Sequence, residues 1–128
     1  MPKGPLIAIV DDDESMRDTT KDLLESAGFA AATFTRAAGL LTYNHLDQVA
    51  CLIADMRMPE MSGLELHRQL VAEHRAIPMI LMTAYPDERV RAQARKAHVV
   101  CYLTKPFAAE ELLTWVRSAV EGRAGEDT

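Results

Sequence analysis

Four short stretches carry side chains able to do chemistry together: Asp11-Asp12-Asp13, Asp55, Thr83 and Lys105. Each lies at the end of an apolar run. Leu6 to Val10 leads into the three acids, Leu52 to Ala54 into Asp55, Ile77 to Met82 into Thr83, and Val99 to Leu103 into Thr104-Lys105. Short apolar runs bounded by turn residues read as buried strands. In an open α/β sheet, ligands sit in the crevice beyond the carboxyl ends of such strands. Carboxylates crowded there repel one another unless a cation compensates. A few hard oxygen ligands suit Mg²⁺, which keeps waters and shares phosphate oxygens. Lys105 is a mobile point charge suited to a phosphoryl oxygen, and Thr83 offers a hydroxyl donor. The main chain of Met56 and Ala84 adds N–H groups. Such a set favours phosphoryl transfer onto a carboxylate by position and charge, with Asp55 as the reacting group.

The elements that must position these groups follow a strict alternation. Leu6–Val10 is a strand buried on both faces. A helix spans about Ser15 to Ala27, with Met16, Thr20, Leu23, Leu24 and Ala27 as its apolar stripe and Gly28 as its stop. Ala30 to Phe34 is a weaker strand at or near a sheet edge. Thr35 is a candidate cap for a second helix over Arg36 to Tyr43, weakened by Gly39 and Asn44. Leu52 to Ala54 is a central strand. Gly63 opens a third helix, with Leu66 and Leu70 inward and Leu64 and Val71 flanking. Ile77 to Met82 is a strand with Pro78 near its start, where the missing N–H does least harm. A fourth helix opens at Pro86-Asp87, its acids favoured by the helix dipole. Val99 to Leu103 is a fifth strand. A last helix runs from about Ala108 to Glu121, with Leu113, Val116 and Val120 inward, ended by Gly122. Residues 1–122 then form one domain, and 123–128 a polar tail or the start of a linker.

Five βα units imply a parallel sheet with helices on both faces. The three most apolar strands are the first, third and fourth, which fits a doubly wound, flavodoxin-like five-stranded sheet in the order 2-1-3-4-5, a three-layer α/β/α sandwich. Asp12 and Asp55 then lie at the switch point. Cys51 and Cys101 begin strands separated by one other, roughly 10 Å apart at ordinary strand spacing, so they are expected as free thiols. The four histidines share no ligand spacing and are expected at the surface.

The totals bound the class. A chain of 128 residues with 48% apolar content supports one core, and a net charge of −5 argues against nucleic-acid binding by this segment. No apolar run approaches the roughly 18 residues of a membrane span. The amino terminus leads straight into a strand-like run with no signal-peptide pattern, and a cytoplasmic location is expected.

Val10-Asp11-Asp12-Asp13, Asp55 with the trailing Met58-Pro59-Glu60-Met61-Ser62-Gly63, Thr83-Ala84, and Tyr102-Leu103-Thr104-Lys105-Pro106-Phe107 together resemble the receiver domain of bacterial two-component response regulators. Met56-Arg57-Met58-Pro59 resembles the FixJ-type regulators in particular. The resemblance covers about Leu6 to Val120. It implies that Asp55 takes a phosphoryl group from a histidine kinase or phosphotransfer protein. Asp12, Asp55 and the Arg57 main-chain carbonyl would bind Mg²⁺, with Asp11 acting through water. Lys105 would pair with the phosphoryl group, and Lys105-Pro106 is expected to be a cis peptide. Thr83 and Tyr102 would form a switch to a face made of helix four, strand five and helix five, which would control a homodimer or an output domain. Any DNA binding would belong to such an output domain. Arg57 and Tyr85 lie where the family tunes dephosphorylation. His98 stands where the family usually carries glycine, which puts the helix-four to strand-five junction in question.

Some side chains carry two readings. Asp13 suits a helix cap as well as chemistry. Arg89, Arg91, Arg95 and Lys96 form either a solvated face or a partner face for acids such as Glu110 and Glu111 on a second copy. Trp115 is either a contact residue or a cap on the core. Competing functions are a haloacid-dehalogenase-type phosphatase, with Asp11-Asp12-Asp13 as its D-x-D motif, and a flavin carrier. The first lacks further metal-binding acids after the lysine. The second lacks a phosphate loop after strand one. A stand-alone phosphorelay shuttle, and a degenerate receiver used only for binding, remain within the same resemblance.

Overall fold

The computed structural model describes residues 4–126. Its centre is a five-stranded parallel sheet in the order β2-β1-β3-β4-β5. The strands are β1 (Leu6–Val10), β2 (Ala30–Phe34), β3 (Val49–Asp55), β4 (Met79–Thr83) and β5 (Cys101–Thr104). The helices are α1 (Glu14–Ser26), α2 (Ala37–Leu41), α3 (Gly63–Ala72), α4 (Glu88–Lys96) and α5 (Ala109–Glu126). The order anticipated from the most apolar strands is the one observed.

Strand alternation divides the core in two. Ile7, Ile9, Cys51, Ile53, Ile80 and Met82 face α1 and α5, where Leu24, Leu112, Leu113 and Val116 meet them. Ala8, Val10, Leu52, Ala54 and Leu81 face α2, α3 and α4, where Leu40, Leu64, Leu66 and Leu70 meet them. Each fully buried aliphatic side chain contributes about 1.5–3 kcal/mol, so β1, β3 and β4 form the rigid frame of the domain. Parallel pairing aligns Val10 with Ala54 and Asp55 with Met82. This brings the carboxyl ends of three strands to one edge of the sheet.

Helix ends follow capping chemistry closely. The Asp13 carboxylate accepts from the Met16 N–H at 3.2 Å, so this acid is the N-cap of α1. Ser62 and Glu65 form a reciprocal capping box at the start of α3. Three helices close with the paired backbone bonds of a Schellman motif. At α1 the left-handed residue is Gly28, with φ 97°. At α3 it is His74 and at α4 His98, with φ 61° and 66°. At α4 the His98 N–H reaches the Arg95 carbonyl and the Val99 N–H the Ala94 carbonyl, both at 3.1 Å. The junction therefore keeps its left-handed turn with histidine in the place where glycine costs least.

Several expected boundaries and positions are corrected. The second helix is only Ala37–Leu41, and Thr35 does not cap it: Arg36 is the N-cap residue and makes no side-chain cap bond. Gly39 lowers its helix propensity, and the Thr42 hydroxyl donates back to the Ala38 carbonyl at 3.0 Å where the helix ends. The fifth strand starts at Cys101 rather than Val99, because Val99 completes the α4 cap. α5 continues through Gly122 to Glu126, so that glycine does not end it. His45, His74 and His98 are exposed as expected, but His67 is buried, 8% accessible. Its place on α3, one turn after Gly63, turns it toward the core. Cys51 is buried and Cys101 half-buried, and both are free. Trp115 is half-buried and packs on the α1/α5 side of the core.

Candidate functional site

Asp55 is the last residue of β3, and the turn after it is fixed by the backbone. The Met56 N–H donates to the Met82 carbonyl at 2.7 Å, and the Gly63 N–H donates to the Met56 carbonyl at 3.0 Å. A Cβ on Gly63 would stand 2.6 Å from Leu81 Cδ2 and 2.7 Å from the Asp55 carbonyl oxygen. Only glycine lets α3 start this close to the strand end. The Arg57 N–H donates to Asp55 Oδ1 at 3.3 Å.

Asp11 follows β1 directly and is fully buried. Its Oδ1 accepts from the Asp13 N–H at 2.9 Å, and its main-chain carbonyl accepts from the Arg17 guanidinium at 2.8 Å. Arg17 was not singled out from the sequence. Its spacing six residues after Asp11, in the second turn of α1, was the available signal. Asp12 is exposed beside it. Carboxylate oxygens of Asp11, Asp12 and Asp55 all lie within 4.8 Å of one another.

Lys105 comes from the loop after β5. Its N–H donates to the Thr83 carbonyl at 2.7 Å, and the Lys105-Pro106 peptide is cis, as the resemblance implied. Its ammonium lies 3.2 Å from Asp11 Oδ2 and 3.2 Å from Asp55 Oδ2. Burial raises the Asp11 carboxyl above the usual carboxylate range; the Asp13 N–H and Lys105 oppose this and the Asp55 charge adds to it. For Lys105, burial would lower the pKa, but the two carboxylates outweigh it and hold the ammonium above the ordinary lysine value. Three carboxyl groups share a single ammonium in this corner. Three hard oxygen donors with one ammonium among them fit a small divalent cation such as Mg²⁺.

Thr83 ends β4 and is buried. Its hydroxyl oxygen accepts from the Tyr85 N–H at 3.0 Å, so it is held by its own loop. Tyr85 is 66% exposed, and the Arg57 guanidinium stacks over its ring at 4.9 Å. Tyr102, half-buried on β5, lies beneath the Arg91 guanidinium at 4.9 Å. A cleft of about 660 Å³ joins these parts, with Asp12, Arg57, Thr83, Tyr85 and Tyr102 in its wall. The fold therefore gathers Asp11, Asp12, Asp55, Arg57, Thr83, Tyr85, Tyr102 and Lys105 at one edge. Lys105 contacts Asp11 and Asp55 directly, whereas Thr83 and Tyr102 line the cleft without touching them.

A sequence profile of the response regulator receiver domain matches residues 7–117. The response regulator protein TodT of Pseudomonas putida is 37% identical over 119 residues, 93% of this chain and 52% of that protein. The transcriptional regulatory protein FixJ of Bradyrhizobium diazoefficiens is 34% identical over 114 residues, 89% of this chain and 56% of that protein. Among solved structures, the response regulator StyR superposes with a TM-score of 0.89 at 39% identity, over 97% of this chain and 63% of that one. The chain thus spans about half the length of the curated relatives it matches.

Proposed function

Because the chain belongs to the response regulator receiver domain family, we propose that Asp55 accepts a phosphoryl group from the phosphohistidine of a histidine kinase or phosphotransfer protein. A carboxylate oxygen of Asp55 attacks phosphorus, and the P–N bond breaks. Its electron pair stays on the imidazole nitrogen, which takes up a proton, and Asp55 becomes an acyl phosphate. The contact that carries this reading is the Lys105 ammonium between Asp11 and Asp55, 3.2 Å from each. An ammonium so placed stabilises charge developing on a phosphoryl oxygen at Asp55.

Asp12, Asp55 and the main-chain carbonyl of Arg57 would hold Mg²⁺, with Asp11 acting through water. The cation would supply charge neutralisation for the incoming phosphoryl oxygens. Thr83 would release the Tyr85 N–H and turn toward the phosphoryl group. Tyr102 shares the cleft and would turn inward after it, altering the face of α4, β5 and α5. Arg57 and Tyr85, stacked on each other in the wall of the cleft, would screen the acyl phosphate from water and lengthen its life. The domain acts as a signalling phosphoacceptor in the cytoplasm rather than as a turnover enzyme. A transcriptional output domain, or a homodimer through the altered face, would read the signal.

Intact mass after incubation with Mg²⁺ and acetyl phosphate tests the reading. One added phosphoryl group is expected on the wild type, and none on Asp55→Ala or without Mg²⁺. An equal adduct on Asp55→Ala would place the acceptor elsewhere. Hydrolysis of the adduct is expected to be faster in Tyr85→Ala; an unchanged rate would remove the screening role.

A further inference from the structure

Arg17 stands early in α1, and its own N–H makes a helical bond to the Asp13 carbonyl at 3.0 Å. The acids Asp11, Asp12, Asp13 and Glu14 precede it closely, yet among the described residues its guanidinium forms no ion pair with any of them. It donates instead to a neutral group, the Asp11 main-chain carbonyl, at 2.8 Å. That carbonyl belongs to a fully buried residue. The other polar groups of Asp11 are held from elsewhere. Its N–H donates to the Phe34 carbonyl at 3.1 Å, Oδ1 accepts from the Asp13 N–H at 2.9 Å, and Oδ2 meets the Lys105 ammonium at 3.2 Å. A buried carbonyl left without a partner is costly, so without Arg17 the peptide that carries it would turn until it found one.

The peptide in question joins Asp11 to Asp12. Because it is planar, the direction of the Asp11 carbonyl fixes where the Asp12 nitrogen and Cα lie. Asp12 is exposed, and among the described residues its carboxylate accepts no hydrogen bond. A carboxylate oxygen of Asp12 nonetheless lies within 4.8 Å of those of Asp11 and Asp55, so its place is set by the backbone beneath it. We propose that Arg17 is a positioning residue for the cation site: by holding the Asp11 carbonyl it keeps the Asp12 carboxylate within reach of Asp55. This rests on the reading of Asp12 and Asp55 as Mg²⁺ ligands. Charge and orientation predict effects of opposite sign. A guanidinium near an acid cluster repels a divalent cation, so by charge alone its removal would tighten binding. Groups that orient a metal ligand instead contribute roughly 10–100-fold to metal affinity, so its removal would weaken binding.

Magnesium chloride is titrated into the full chain while the amide signals of Asp12, Asp13, Asp55 and Met56 are followed by NMR. The wild type should shift saturably and Asp12→Asn should bind far more weakly; these two proteins decide the metal reading. Arg17→Met keeps most of the stem and a good helix former but removes the donor and the charge. It should bind Mg²⁺ about tenfold more weakly than the wild type. Arg17→Lys, which returns a donor and the charge, should recover most of that loss. A role in stability alone would lower the unfolding midpoint of metal-free Arg17→Met and leave its Mg²⁺ affinity unchanged. Equal or tighter binding by Arg17→Met, or a loss that Arg17→Lys does not reduce, would overturn the positioning role while the wild type and Asp12→Asn still uphold the metal site. No saturable shift in the wild type would end both. If Arg17→Met does not fold, the wild type decides alone. Coupling is reciprocal, so Mg²⁺ should slow exchange of the Arg17 guanidinium protons, and an unchanged rate would overturn the proposal.

Discussion

Lys105→Met isolates the electrostatics of the acid cluster, because it keeps the length of the side chain and removes only its charge. Asp11 is fully buried, and the Asp55 and Lys105 side chains are 12% and 14% exposed. Removing one partner from a buried ion pair costs roughly 3–5 kcal/mol; partial solvent contact at the rim lowers this to about 2–3 kcal/mol here. For a domain of this length that is a fall in melting temperature of roughly 6–12 °C. Urea unfolding at neutral pH without divalent cations reads it. The pH dependence carries a definite sign. Burial raises the Asp11 carboxyl, so the fold favours its neutral form. The stability it contributes is complete below the unfolded carboxyl value of about 3.9 and is lost as pH rises through the folded value. Without Lys105 that folded value moves higher still. The deficit of Lys105→Met should therefore be largest near neutrality and shrink as pH falls toward 4. At the other end, the ammonium's contribution is lost as pH rises through its own raised value, and the two proteins should converge again. Excess Mg²⁺ should restore the variant, by about 1.4 kcal/mol at ten times its dissociation constant. Equal or greater stability of Lys105→Met at neutral pH would refute the idea that this ammonium compensates the carboxylates.

Other expectations follow from single contacts. Gly63→Ala forces a Cβ against the Asp55 carbonyl oxygen and Leu81; it should cost about 1–3 kcal/mol and slow phosphorylation of Asp55, and an unchanged urea midpoint would contradict the close approach. His98→Gly should stabilise the domain by roughly 0.5–1 kcal/mol, the left-handed strain relieved less the larger entropy loss of glycine; a lower melting temperature would mean that the His98 side chain contributes more than its backbone costs. Burial pushes the Cys51 thiol up to about 12. Burial, with Glu111 adding, pushes Cys101 up to about 11. Both should resist a thiol reagent at pH 8 until the protein unfolds, and prompt labelling of either in the native state would count against their placement.

The sheet was legible in the sequence because β1, β3 and β4 are buried on both faces. Continuous β-branched runs such as Leu6–Val10 have no other comfortable home. The acids, threonine and lysine were legible because each directly follows such a run. What escaped notice depended on tertiary contact or local geometry. Thr35 looked like a cap, yet the chain enters α2 through Arg36. Gly122 looked like a stop, but an exposed glycine within a helix costs only about 1 kcal/mol, and α5 runs through it. Val99 is β-branched and apolar like a strand residue, but its N–H completes the α4 cap. His67 carries no signal of burial in its own type. Only the helical phase from Gly63, itself fixed by packing on Asp55, turns it inward.

The same packing suggests where an event at Asp55 could travel. Asp11 follows and Asp55 ends a strand whose apolar side chains are buried, and discrete repacking there would cost several kcal/mol for each side chain displaced. The groups around the cleft are held more lightly. The Thr83 hydroxyl accepts one bond from its own loop. Tyr85 is largely exposed beneath a guanidinium, and a cation–π contact at such a site is worth only about 0.5–1 kcal/mol. Arg91 above Tyr102 also meets Glu88 at 3.5 Å, an acid almost fully exposed. A phosphoryl group on Asp55, as proposed, would interact far more strongly with Lys105 and the Thr83 hydroxyl than these contacts interact with one another. On the proposed phosphorylation, rearrangement would be expected along Thr83, Tyr85 and Tyr102 toward α4, with β1 and β3 left in place. The acid cluster that resists a further negative charge on its own is then also what a bound cation would neutralise before a phosphoryl group arrives.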